Sequence, residues 1–136
     1  VRLGLRGPCP GAGPAEAGMS DNRALGRSGE EAAVAYLQKK KFKVVSRGFR
    51  FQRGEIDIIA YDGDVLVFVE VKTRRSPDFG PPEESVTPLK QRQIRRLAEA
   101  YLMLNGLGDV PCRFDILSLF SDGLQGYRVH HITDAF

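Results

Sequence analysis

Cysteine is scarce in this chain: two residues in 136, Cys9 and Cys112, far apart in sequence. That excludes a disulfide framework and any paired-cysteine zinc pattern. No run approaches the roughly 18 apolar residues that a membrane span needs. No apolar segment near the start resembles a secretory leader. Both absences predict a cytoplasmic protein that does not associate with membranes. No P-loop, G-x-G-x-x-G or G-x-S-x-G sequence occurs, which sets aside the common nucleotide-binding and serine-hydrolase chemistries. His130 and His131 are adjacent, so in a strand they point to opposite faces and cannot act as a ligand pair. They read as structural or surface residues. A strong excess of one charge is also missing, the net balance being +3.

What is present is ordinary globular material, 42% hydrophobic and 27% charged, enough for one domain with a real core. Residues 1–18 are rich in glycine and proline and carry no apolar periodicity. They read as a disordered tail, with Met19 as an alternative start. Residues 19–136 read as a single domain.

Its elements can be placed from pattern alone. A first helix is expected from Gly29 to Lys40, with Ser28 and Glu31 as a capping box. Glu30, Ala33, Val34 and Leu37 fall on one stripe of it. Three antiparallel strands follow: Lys43 to Phe51, Glu55 to Tyr61, and Val65 to Lys72. Gly54 marks the first tight turn. A proline-bearing loop runs from Arg74 to Val86. The second helix opens on Thr87 as N-cap with Pro88 at the first position, and stops at Asn105-Gly106. Two more strands occupy Arg113 to Phe120 and Tyr127 to Ile132. The helix between the third and fourth strands makes that pair parallel. The fold class is α/β: a mixed β-sheet flanked by helices, in the order α-β-β-β-α-β-β.

The chemistry lies in two strands that should be buried. Glu55 and Asp57 stand in the second, Glu70 and Lys72 in the third. Charges are costly in an apolar sheet unless they pair or bind metal. Alternation puts Ile56, Ile58 and Ala60 on one face, with Val65, Val67, Val69 and Val71 against the same core. Glu55, Asp57, Glu70 and Lys72 then share the other face. If Gly63-Asp64 form the hairpin turn, Asp57 lies opposite Glu70; if Asp62-Gly63 form it, Glu55 does. Opposed like charges destabilise a sheet, a cost that a divalent cation between them removes. Mg2+ takes oxygen ligands of this kind, one or two carboxylates with water and phosphate. The competing reading of Glu-Val-Lys alone is a solvated strand face with a weak ion pair.

Asp57 followed by Glu70-Val71-Lys72 resembles the signature of the PD-(D/E)XK, or restriction-endonuclease-like, nuclease superfamily. The chain is most similar to one branch of it, the YraN family of predicted endonucleases. The resemblance rests on Gly29-Glu30, Gly54 to Ala60, Phe68 to Lys72, Lys90, Arg113-Phe114-Asp115 and Ala135-Phe136. It spans Leu25 to Phe136. Ile56 stands where the superfamily pattern carries a proline. The resemblance implies a metal-dependent endonuclease using Mg2+ or Mn2+. Asp57 and Glu70 would hold the ion, with the Val71 carbonyl as a further ligand. Glu30 would complete the shell or hold a water, and Lys72 would orient the nucleophile. It also implies DNA rather than RNA; likeness to Holliday-junction resolvases suggests branched DNA and a homodimer.

Three basic clusters could contact phosphate. One runs from Lys39 to Arg53 without an acid and includes Arg47, Arg50 and Arg53. The second is Lys72, Arg74 and Arg75. The third is Lys90, Arg92, Arg95 and Arg96, on the second helix. Tyr36, Phe49 and Phe51 read as core, and Arg113 with Asp115 as an ion pair. Two other functions fit the same residues: a non-catalytic nucleic-acid-binding module, and a protein-interaction module docking through the second helix.

Overall fold

Two amphipathic helices and five strand-forming runs can bury all their apolar faces only if the sheet is covered on both sides. The computed structural model describes residues 21–74, 86–121 and 126–136. The tail expected to be disordered, Arg75 and nearly all of the proline-bearing loop lie outside the described residues. The elements are α1 (Asp21–Lys39), β1 (Lys43–Phe51), β2 (Gly54–Asp62), β3 (Val65–Arg74), α2 (Pro88–Leu104), β4 (Cys112–Ser121) and β5 (Tyr127–Ile132). The sheet order follows the chain, β1-β2-β3-β4-β5. All neighbours are antiparallel except β3 and β4, which run parallel across the α2 connection. This is the expected α/β architecture and is consistent with a restriction-endonuclease-like fold. No helix among the described residues is long and apolar enough to cross a membrane.

Each sheet face carries its own core. Phe49, Ile59, Leu66, Phe68, Phe114 and Ile116 pack with Ile94, Leu97 and Tyr101 of α2. Ala33 and Leu37 of α1 pack with Ile58, Ala60, Val67, Val69, Leu117 and Leu119 on the other face. Ala33 and Leu37 are fully buried, and one such leucine contributes about 1.5–3 kcal/mol. Helix α2 begins as its sequence demands: the Thr87 hydroxyl accepts the Lys90 backbone N–H at 3.2 Å. It ends at Asn105, with Gly106 at φ 62. The hairpin turn is Gly63-Asp64, since Asp62 pairs with Val65.

Three local expectations are corrected. Helix α1 starts at Asp21 and not at Gly29, so Ser28 is an interior residue and its capping box with Glu31 does not exist. Gly29 sits inside the helix because the Thr73 side chain of β3 occupies the place its Cβ would take. Gly54 is likewise a strand residue, paired with Phe51. Gln52 makes the turn, at φ 55. Gly54 lacks a side chain because the Leu97 Cδ1 atom lies 2.7 Å from where a Cβ would stand. Finally, Ile56 does not share a core with Ile58 and Ala60; it joins the α2 side. The alternation of β2 breaks at Asp57. Facing that point, Gly48 of β1 adopts φ 67, between Arg47 and Phe49, the partners of Ile58 and Ile56.

Gly54→Ala tests how closely α2 sits on β2. Replacing glycine by alanine in a strand ordinarily adds about 0.5–1 kcal/mol of stability. Here the methyl group meets Leu97, and overpacking of this kind costs about 1–3 kcal/mol. Denaturant unfolding should show net destabilisation, relieved in part when Leu97→Ala is added. A Gly54→Ala protein as stable as the parent would contradict the close approach.

Candidate functional site

The β2–β3 ladder pairs Ile58 with Val69. One step further along the same register, Asp57 faces Glu70. There the backbone pairing gives way to a side chain: Asp57 Oδ2 accepts the Val71 N–H at 2.8 Å. The break in β2 alternation and this hydrogen bond occur at one residue. Together they turn the Asp57 carboxylate toward β3.

Burial and like charge dominate the electrostatics. Glu70 is 7% exposed. Its Oε2 atom receives two ammonium groups, Lys72 Nζ at 3.3 Å and Lys90 Nζ at 3.9 Å. Asp57 is treated differently. Burial pushes its pKa up to about 7, the Glu70 charge adds to this, and the Val71 N–H opposes it. Glu30 and Glu55 raise it further, and among the described residues no cation is found acting on it. Glu30, on α1, is itself raised by burial and by Glu55, while Arg47 pulls it back. Glu55 pairs with Arg50 at 3.5 Å. Its carboxylate reaches over Gly48, whose missing side chain leaves the room.

Asp57 thus stands between Glu70, which Lys72 and Lys90 of α2 approach, and Glu30 of α1 with Glu55, both of which act on it. Val71 contributes its N–H to Asp57, and its carbonyl remains a candidate ligand. Among the described residues no set of three histidine, cysteine, aspartate or glutamate side chains stands ready to hold a metal ion. The donors on offer are two carboxylates and a backbone oxygen. The basic residues divide by surroundings. Lys90 belongs to the site through Glu70, Arg47 acts on Glu30, and Arg50 on Glu55. Arg74 ends β3. The Arg95 guanidinium lies over the Phe114 and Phe136 rings, at 4.8 and 5.7 Å, on an otherwise exposed residue. Arg53, Arg92 and Arg96 are exposed.

Two features escaped sequence reasoning. The Lys90 contact with Glu70 needed the packing of α2 across the sheet. Ser118 pairs in register with Lys72, is fully buried, and its hydroxyl has no hydrogen-bond partner. The signal for Ser118 was present: a lone polar residue at the same parity as Phe114 and Ile116.

The Arg113–Asp115 ion pair is real but belongs to another part of the sheet. Asp115 is fully buried. Its carboxylate accepts Arg113 Nε at 2.9 Å, Arg113 Nη2 at 3.1 Å and the Asp134 N–H at 2.9 Å, and bonds His131 Nε2 at 2.7 Å. Arg113 also reaches Asp62 at 3.0 Å. This network ties the start of β4 to the β2–β3 hairpin and to the end of the chain. It gives His131 the structural role expected of it, and His130 is exposed.

Residues 29–119 match the family described as uncharacterised protein family UPF0102. A UPF0102 protein of Geobacter sulfurreducens is 46% identical over 123 residues, covering 90% of this chain and 96% of that protein. One of Geotalea uraniireducens is 49% identical over 117 residues, covering 86% and 92%. One of Symbiobacterium thermophilum is 49% identical over 115 residues, covering 85% and 98%.

The Asp57 environment sets a pH dependence. Its ordinary pKa is 3.8 and its folded value about 7, so between these values the folded state binds the proton more tightly. The stability this group contributes is complete below about pH 4 and is lost as pH rises through 7. In chelator-treated buffer, Asp57→Asn should therefore be more stable than the parent at pH 8, on the order of 1–3 kcal/mol. The gain should shrink toward pH 5. Urea unfolding across this range is the measurement. Equal destabilisation at every pH would mean that the carboxylate is compensated within the fold.

Proposed function

The chain belongs to the UPF0102 family, and on that premise we propose that its acidic centre is that of a metal-dependent nuclease hydrolysing phosphodiester bonds in DNA. One observation carries the reading. Asp57 is half-buried beside the buried Glu70, with its pKa raised to about 7 and, among the described residues, no cation found acting on it. A fold gains nothing by keeping such a pair unless something arrives to neutralise it. The likeness of Asp57 and Glu70-Val71-Lys72 to the PD-(D/E)XK signature, and of Leu25 to Phe136 to the YraN family of predicted endonucleases, supports the same conclusion.

The donors suit Mg2+ or Mn2+. Both are hard ions that accept one or two carboxylates and complete their shells with water and substrate phosphate. A third acidic side chain is therefore not required. Asp57 and Glu70 would hold the ion, with the Val71 carbonyl as a further ligand. When bound, it supplies a Lewis acid and lowers the pKa of attached water. The chain's own groups do the rest. Asp57 gives up its proton near neutral pH to become a ligand. Lys72, held against Glu70, places positive charge where the phosphate develops negative charge. Glu30 reaches in from α1 to accept a hydrogen bond from water. Lys90 and the exposed arginines bind flanking phosphates. Branched DNA and a homodimer follow from the likeness to junction resolvases.

A second reading has its own observation. Glu70 is already neutralised by Lys72 and Lys90, which a non-catalytic nucleic-acid-binding module would also display. Metal response separates the two. The melting temperature of the parent should rise with Mn2+, and that of Asp57→Ala should not. Lys72→Ala should keep both the Mn2+ response and DNA binding, yet lose cleavage by about a hundredfold or more, the usual effect of removing one charge-stabilising group. Linear, single-stranded, flapped and four-way DNA serve as substrates. A parent protein that binds DNA but shows neither a Mn2+ shift nor cleavage of any substrate would establish the non-catalytic module.

A further inference from the structure

A groove lies between the β1–β2 turn and α2, with a volume of about 410 Å3. Gln52 and Arg53 form one wall, Gln93 and Arg96 the other, and Gly54 over Leu97 the floor. No acid lines it. Arg53 and Arg96 are exposed, and neither takes part in an ion pair among the described residues. Arg50, Lys72, Lys90 and Arg113, by contrast, each have a carboxylate partner. Guanidinium groups with free forks suit phosphate oxygens, and the two amide side chains add uncharged donors.

The groove and the acidic centre draw on the same two elements, β2 and α2. Gly54 opens β2, and Asp57 stands three residues along it, roughly 10 Å at strand rise. On the opposite wall, Gln93 follows Lys90 by about one helical turn and Arg96 by about two, roughly 9 Å along the axis. Lys90 itself touches Glu70. Phosphates of one DNA strand advance about 3.4 Å each along the duplex axis. We infer that this groove binds the phosphodiester backbone of the substrate strand about three nucleotides from the bond positioned at Asp57 and Glu70. The distance rests on the nuclease reading; the phosphate contacts do not.

The test uses the full chain and a labelled DNA duplex of about two helical turns. Affinity is measured against salt in chelator, where no cleavage occurs. Each neutralised phosphate contact contributes about 0.9 to the slope of log affinity on log salt. Arg53→Gln and Arg96→Gln should each lower the slope by about that amount, and the pair by about 1.8. Arg128→Gln, exposed on β5, should leave it unchanged, and all variants should keep the parent's melting temperature. If the double variant retains the parent's slope, or if the parent does not bind DNA, the groove is not a phosphate site. A slope lowered as expected, with no cleavage of any substrate, keeps the groove and removes the nuclease. Where cleavage occurs, duplexes cut back on one side to fewer than about three nucleotides from the cleaved bond should be cut more slowly by the parent. The double variant should be indifferent to that truncation; a parent that is also indifferent overturns the assigned distance.

Discussion

A carboxylate that accepts a strand's backbone N–H takes the place of a neighbouring strand. That substitution, Asp57 on Val71, is the constraint around which the rest of the site is arranged. It forms where β2 stops alternating, opposite Gly48 of β1, which takes a left-handed conformation there. It also brings a charge beside Glu70 in a region walled by two cores. The helices complete the arrangement from both sides. Gly29 lets α1 settle against Thr73, which brings Glu30 toward Asp57. Gly54 lets α2 settle against β2 through Leu97, which carries Lys90 to Glu70. Two of the glycines flanking the signature thus set helix distances, and a third sets a strand bend.

The architecture was legible because its signals are local. Thr87-Pro88 and Asn105-Gly106 mark α2 by the chemistry of helix ends, and Gly63-Asp64 was one of two turns the hairpin allowed. The length of α2 then required β4 to lie parallel to β3. The failures share a different cause. Ser28 looks like a cap, and nothing near it reveals that the helix already runs from Asp21. Gly54 looks like a turn residue because strand glycines are rare, and the reason for it, Leu97, lies 43 positions away in sequence. Strict alternation misplaced Ile56 because a bend imposed by the neighbouring strand has no trace in the sequence of β2 itself. Side-chain parity is a property of one strand; where it breaks depends on its neighbour.

The site was legible in its residue types and less so in its balance of charge. Asp57, Glu70, Lys72 and Glu30 could be selected as costly charges in apolar surroundings. Lys90 could be marked only as one of many basic residues, because the contact that distinguishes it crosses from α2 to β3. Similarly, the three basic clusters looked equivalent in sequence. In the fold, Arg95 lies over aromatic rings, Arg50 answers Glu55, and Arg53 and Arg96 line a groove without an ion-pair partner among the described residues.

Two aspartates of this sheet, Asp115 fully buried and Asp57 half-buried, make the functional argument sharper than either does alone. Asp115 is fully buried, which by itself would raise its pKa; the hydrogen bonds of His131, Arg113 and the Asp134 N–H outweigh that and hold it below its ordinary value. That is how this fold accommodates a carboxylate it uses as structure: every lone pair is met from within the chain. Asp57 receives one backbone N–H and is surrounded by other carboxylates, and its pKa moves the opposite way. The same protein therefore contains both treatments of one residue type. A structural role for Asp57 would have called for an arginine such as Arg113, which the sheet demonstrably can supply a few strands away. The ammonium groups of Lys72 and Lys90 instead meet Glu70. On the proposed reading a divalent cation would supply the missing positive charge, and this is the physical reason for proposing the chemistry there.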